Sequence, residues 1–232
     1  MLGSPIWFKE NREQYEENCW KCWEESIKVN LVIDHETINI KDSFIFAAGN
    51  SKVEAYGNAK VVAINSAIVE AYDNVTVESY DNVRVDAHDN TSVEADNGCI
   101  GYVRIDAYDN ATVQVFSHED VTANDNVTVK AHLYATIRAE ENARVEAYDN
   151  VSVESHDNSM VKVYNHATVD AWGGTIEAYD CAVVWRCWYE AKITVKSKFA
   201  VVIDTDIAKG DDNQFHITGK IIVSKDAIVE RQ

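Results

Sequence analysis

Val75-Thr-Val-Glu-Ser-Tyr-Asp-Asn82 runs straight into Val83-Arg-Val-Asp-Ala-His-Asp-Asn90, and the second stretch repeats the first with a period of eight residues. Each octet alternates apolar and polar residues over about five positions and then closes with a corner such as Tyr-Asp-Asn. Alternation by two is the signature of a strand with one buried face, and Asp-Asn is turn chemistry, because both side chains bond the local backbone and tolerate left-handed φ. A short unit of this kind cannot bury its apolar face alone, so neighbours must stack into a continuous core.

Working outward, octets start at Ser51, Ala59, Ala67, Val75, Val83 and Thr91, and again from Val103 through Ala111, Glu119, Val127, Ala135, Ala143, Val151, Ser159 and Ala167. Four extra residues around Asn97 to Tyr102 separate the two runs. Taking every second octet, one corner reads Asn58, Asn74, Asn90, Asn110, Asn126, Asn142 and Asn158, while the other admits Ser66, Gly98, His118, Tyr134 and His166. That segregation predicts an all-β chain, a β-solenoid (β-helix) of about 16-residue two-sheet coils, with the insert on the variable corner. The uniform corner is expected to carry an asparagine ladder, because amides stacked at the strand spacing of about 4.8 Å can bond from coil to coil. Val77, Ser79, Val85, Val113, Val129, Val145 and Val161 should point inward, and Glu78, Asp86, Arg104, Thr112, Lys130 and Glu154 outward.

Three regions follow. Residues 1–42 hold an N-terminal capping α-helix, with Phe8, Tyr15, Cys19, Trp23 and Ile27 able to share one face, and then the first strands. Residues 43–174 are the octapeptide-repeat solenoid. Residues 175–232 form irregular C-terminal strands and a cap, with strands expected at Lys192 to Lys196, Phe199 to Asp204, Phe215 to Ile217 and Lys220 to Val223.

Charge is the second signal. The chain carries 39 Asp and Glu against 21 Lys and Arg, a net charge of −18. Between Ser51 and Gly174 the count is 21 acidic to 8 basic, whereas beyond it the count is 9 to 8. Such a body should repel nucleic acid and anionic membranes and attract a basic protein partner. The expected binding residues are the corner carboxylates Asp73, Asp89, Asp109, Asp125 and Asp157, and the aromatics Trp185, Trp188 and Tyr189, since aromatics dominate interface hot spots.

Catalytic and metal chemistry finds little support. Cys19 and Cys22 form a C-x-x-C, but Cys181 and Cys187 could complete a zinc site only if the two ends of the rod met. His118, His132 and Tyr134 share one edge without a third clear ligand. No Gly-rich phosphate loop, nucleophile elbow or H-E-x-x-H occurs. The expectation is therefore a non-enzyme without cofactor or metal. Five cysteines leave no complete disulfide framework, and the start lacks a basic region followed by an apolar stretch; both point to the cytoplasm. The column Thr76, Ser92, Thr112 and Thr128 resembles an ice-binding array, but its neighbours Glu78, Glu94, Gln114 and Lys130 spoil the uncharged plane.

Octets such as Ala67-Ile-Val-Glu-Ala-Tyr-Asp-Asn74 and Ala143-Arg-Val-Glu-Ala-Tyr-Asp-Asn150 resemble the xVxAYDNA repeats of β-solenoid proteins encoded in bacterial and prophage genomes. The resemblance covers about residues 43 to 182. It implies a bacterial or phage-infected cell as the setting and brings no active site with it. The leading functional expectation is a rigid protein-interaction scaffold; the alternatives are a phage-type inhibitor of a host nucleic-acid-binding or defence protein through DNA mimicry, and a self-assembling structural element or homo-oligomer. An enzyme acting on polysaccharide would need a cleft of converging carboxylates.

Overall fold

A computed structural model describes residues 31–33, 35–96, 101–187, 191–209, 215–222 and 228–229. The capping helix, Cys19, Cys22, Cys99, Trp188, Tyr189 and the turn at 210–213 lie outside the described residues. Among the described residues, twenty-four strands form two sheets of twelve, and successive strands alternate between the sheets as far as Val201–Lys209. The first sheet begins with Leu31–Ile33, Phe44–Ala48 and Lys60–Ala63, and the second with Thr37–Lys41, Lys52–Tyr56 and Ile68–Ala71. Pairing within each sheet is parallel until the last strand, so the chain winds as a two-walled solenoid of about ten coils. At about 4.8 Å per coil the rod is about 50 Å long.

Register repeats every two octets: Val61 faces Val77, Val77 faces Val93, and Val113 faces Val129. The inward columns consist of Val and Ile followed by Ala, Ser or Val, and nearly every member is fully buried, including Val77, Val85, Ala87, Val129 and Val169. Small and β-branched side chains suit this position because two walls about 10 Å apart leave room for one interdigitated layer. Outward residues alternate with them, as the 61–63 and 128–131 stretches illustrate with their strict alternation of exposure.

Arg84 faces Arg104 and Ser92 faces Thr112, each twenty residues on, so the four extra residues belong to the variable edge, as expected. At the other end the winding continues beyond Gly174. Met160 faces Thr175 after only fifteen residues, and the corner Trp172-Gly173-Gly174 takes up the deletion. Gly174 has φ +81, and a Cβ there would lie 2.4 Å from the Ser159 carbonyl oxygen; a Cβ at Gly173 would lie 2.7 Å from the Asp157 nitrogen. Only glycine fits so tight a return. Below it Ser155 Oγ and Ser159 Oγ lie 2.8 Å apart, and the Ser155 hydroxyl donates to the Gly173 carbonyl at 2.9 Å.

The C-terminal strands differ from expectation in one respect. Phe215 to Ile217 and Lys220 to Val223 are parts of one strand, Phe215–Ile222, which pairs antiparallel with Val201–Lys209. The glycine at 219 does not interrupt it, because an antiparallel partner supplies hydrogen bonds along the whole length.

Candidate functional site

Both edges of the ribbon are built from the same local device. The second residue of most corners takes the left-handed conformation: Asp73 at φ 60, Asp89 at 55, Asp109 at 58, Asp125 at 51, Glu141 at 53 and Asp157 at 51 on the asparagine edge. Asx side chains lower the penalty for this region, which accounts for the Asp-Asn dipeptide. The turned peptide then aligns its polar groups along the rod. Asn90 N–H donates to the Asp73 carbonyl at 2.9 Å, Asn110 to Asp89 at 2.9 Å and Asn126 to Asp109 at 2.8 Å.

The remaining corner N–H groups are satisfied by aspartate. Asp73 N–H donates to Asp89 Oδ2 at 3.0 Å, Asp89 N–H to Asp109 Oδ2 at 3.1 Å, Asp109 N–H to Asp125 Oδ2 at 3.0 Å and Glu141 N–H to Asp157 Oδ2 at 3.3 Å. The asparagine amides contribute less than the sequence suggested. Asn90 Nδ2 reaches Asn74 Oδ1 at 3.4 Å and Asn126 Nδ2 reaches Asn110 Oδ1 at 3.5 Å, and Asn58, Asn74, Asn90, Asn110, Asn126, Asn142 and Asn158 are all exposed. The carboxylate is favoured because a charge-assisted bond to a backbone N–H is shorter and stronger than an amide pair in water.

Asp42 and, beyond the intervening Gly57, Asp73, Asp89, Asp109, Asp125, Glu141 and Asp157 thus form a carboxylate ridge along one edge. None of the ion pairs among the described residues involves it. The sheet faces carry ion pairs: Lys52 meets Glu70 at 2.8 Å, Lys60 meets Glu78 at 2.6 Å and Arg104 meets Asp106 at 3.3 Å, and at the corner beside the ridge Arg138 meets Glu140 at 2.6 Å. The edge carboxylates are thus without a basic partner among the described residues, whereas face acids such as Glu70 and Asp106 have one. Where Glu141 replaces aspartate, its longer side chain hydrogen-bonds Asp125, and that bond together with the like charge raises its pKa. The equivalent positions of the other edge are Asn65, Asp81, Ser117, Leu133, Asp149, Asn165 and Asp180, so the ridge has no counterpart there.

Corner aromatics build two ring ladders. Tyr56, Tyr72, His88 and Tyr108 stack on the ridge edge with centroids 5.1, 4.9 and 4.9 Å apart. Phe116, His132, Tyr148, Tyr164 and Tyr179 stack on the other edge at 5.6, 4.8, 4.8 and 4.7 Å. Neighbouring rings cover each other's faces, so the ladders present ring edges to solvent and leave little face for a sugar to stack on. His118 stacks on Tyr134 while His132 belongs to the longer ladder, and no group of three metal-ligating side chains occurs among the described residues.

Trp185 lies on the outer face of the second sheet and is 41% exposed. The threonine column and its charged neighbours lie in register as expected. A shallow depression of about 220 Å³ on the second sheet is lined by Arg104, Asp120, Thr122, Thr136, Arg138 and Glu154, so both signs of charge meet there. Two inward charges escaped the sequence reading: Glu119, whose Oε2 accepts from Ser117 N–H at 2.6 Å, and Arg186, in register with Asp204. The octet frame itself held the signal, since both occupy positions filled elsewhere by Ala, Val or Ser. No family model matches the chain, and no curated protein or solved structure matches it either.

Proposed function

We propose that this chain is a non-enzymatic scaffold that presents a rigid acidic edge to a basic protein partner in the cytoplasm of a bacterial or phage-infected cell. The observation that carries the reading is the row of seven carboxylates between Asp42 and Asp157, none of which forms an ion pair among the described residues, while face acids such as Glu70, Glu78 and Asp106 lie against lysine or arginine. Adjacent charges about 4.8 Å apart in water repel by about 0.9 kcal/mol. Lysine or arginine side chains laid along the ridge relieve that repulsion. Hydrogen bonds to the backbone already hold Asp89, Asp109, Asp125 and Asp157 in place, so binding orders few side chains.

DNA mimicry is the second reading, favoured by the regular linear spacing of the ridge, which is of the same order as the 3.4 Å phosphate spacing along one DNA strand. It differs in its test, because nucleic acid must then compete for the same partner.

The experiment is affinity capture from a host lysate, followed by titration of the captured protein, with the wild type and an Asp89→Asn, Asp109→Asn, Asp125→Asn triple variant. Asparagine retains an acceptor for the backbone N–H and removes the charge. Capture should be strong at about 50 mM salt, fall steeply by about 500 mM and weaken at least tenfold in the triple variant. Equal capture by the variant overturns the acidic-ridge reading. Displacement by duplex DNA supports mimicry, and indifference to DNA removes it.

A further inference from the structure

The outer face of the second sheet changes character at one place. From Lys52–Tyr56 through Thr168–Ala171, eight strands contribute sixteen outward positions of the kind Lys52 and Glu54, and only Ile68 among them is apolar. On the next two strands the four outward positions in register with these are apolar: Val183 and Trp185, beside Val201 and Ile203. Their inward neighbours Val184 and Val202 are fully buried, so alternation fixes these four on the outside. Trp172, on the adjoining corner, is 43% exposed. The backbone of the same sheet runs on past this block as the antiparallel ribbon Val201–Lys209 with Phe215–Ile222.

Charge selects what can cover the block. The body from Ser51 to Gly174 carries 21 acidic and 8 basic residues, whereas residues 175–232 carry 9 and 8. Two copies meeting along their bodies repel strongly, and the near-neutral end is where they approach at least electrostatic cost. A basic partner has the opposite preference and is drawn to the ridge.

We propose that the block formed by Val183, Trp185, Val201 and Ile203 is a self-association surface that takes a second copy of this chain in a twofold pair. The contact is isologous: the indole of each Trp185 lies against the aliphatic side chains of the other copy, outer face to outer face, at the ~10 Å separation of packed sheets. A twofold axis perpendicular to the rod sends the two acidic bodies in opposite directions. The block is small against the ~800 Å² per partner of a stable dimer, so association is weak and concentration-dependent. Each ridge follows an edge and not this face, so a dimer presents two ridges and gains avidity for a multivalent basic partner.

Sedimentation velocity of the full chain from about 1 to 200 μM tests this, with Trp185→Glu and Val201→Lys as variants and Ile68→Glu as the control outside the block. The wild type and the control should shift from monomer to dimer with concentration, and more completely at 500 mM than at 50 mM salt. Both variants should remain monomeric while their far-ultraviolet circular dichroism and melting midpoints stay close to wild type. A wild type monomeric throughout, variants that dimerise as the wild type does, or growth beyond a dimer each overturns the proposal. The salt response separates it from the ridge reading, whose complex weakens as salt rises.

Discussion

At the scale of single residues, the corner conformation sets the sequence rule and shows where the rule is broken. Among the described residues, fourteen non-glycine residues have positive φ, and nine of these are aspartate. Leu133 is the one aliphatic residue among them, at φ 59 and 46% exposed, with its N–H donating to Asp149 Oδ2 at 3.3 Å. An L-residue in this region costs about 1–2 kcal/mol, and asparagine recovers much of it through its own local hydrogen bonds. Leu133→Asn should therefore stabilise the protein by about 1 kcal/mol, seen as a higher denaturant midpoint at unchanged m-value. A midpoint at or below the wild type would show that the leucine side chain contributes more than the strain removes.

At the scale of elements, the ring ladders couple successive coils along both edges. Burial raises the pKa of Tyr72, Tyr108, Tyr148 and Tyr164, and Tyr179 is pushed up to about 12 by burial and by its hydrogen bond to Glu177. Tyr102 reaches about 12 as well, chiefly through its hydrogen bond to Asp120. A tyrosine whose pKa is higher folded than unfolded contributes stability that is complete below about pH 10 and is lost as pH rises through the folded value. Melting midpoints should thus fall between pH 10 and 12, and absorbance at 295 nm should show part of the eleven tyrosines ionising late. Simultaneous titration of all of them near pH 10 in the folded protein would refute the burial of the ladders. The ladders were only partly legible in the sequence. Tyr56, Tyr72 and Tyr148 stand out at the corners and the 16-residue coil places Phe116 beside His132, but that their rings lie parallel, 5.6 Å apart, depends on side-chain rotamers set by packing.

At the scale of the whole molecule, one edge carries an unbalanced line of charge along a rod of about ten coils, and the chain as a whole carries −18. Self-repulsion opposes the compact state, and added salt screens it, with a Debye length falling from about 30 Å at 10 mM to about 10 Å at 100 mM. The melting midpoint should therefore rise between 10 and 500 mM sodium chloride, and the increase should be smaller in the Asp89→Asn, Asp109→Asn, Asp125→Asn variant. A midpoint that falls with salt would mean that the face ion pairs, such as Lys60 with Glu78, outweigh the ridge in the electrostatic balance.

The sequence by itself determined the two-walled coil, the inward columns through Val77, Val113 and Val129, the position of the insert and the acidic bias of the body. These depend on a strand period of two and on turn chemistry, both local and repeated often enough to be read. Only the tertiary structure decided that aspartate more than asparagine satisfies the corners, that Lys52 and Arg104 pair with acids of the face and not with the edge, and that coils continue beyond Gly174 to an apolar block around Trp185. Apart from the Arg104–Asp106 pair within one strand, these are contacts between residues about sixteen to twenty apart, fixed by register when one coil settles on the next.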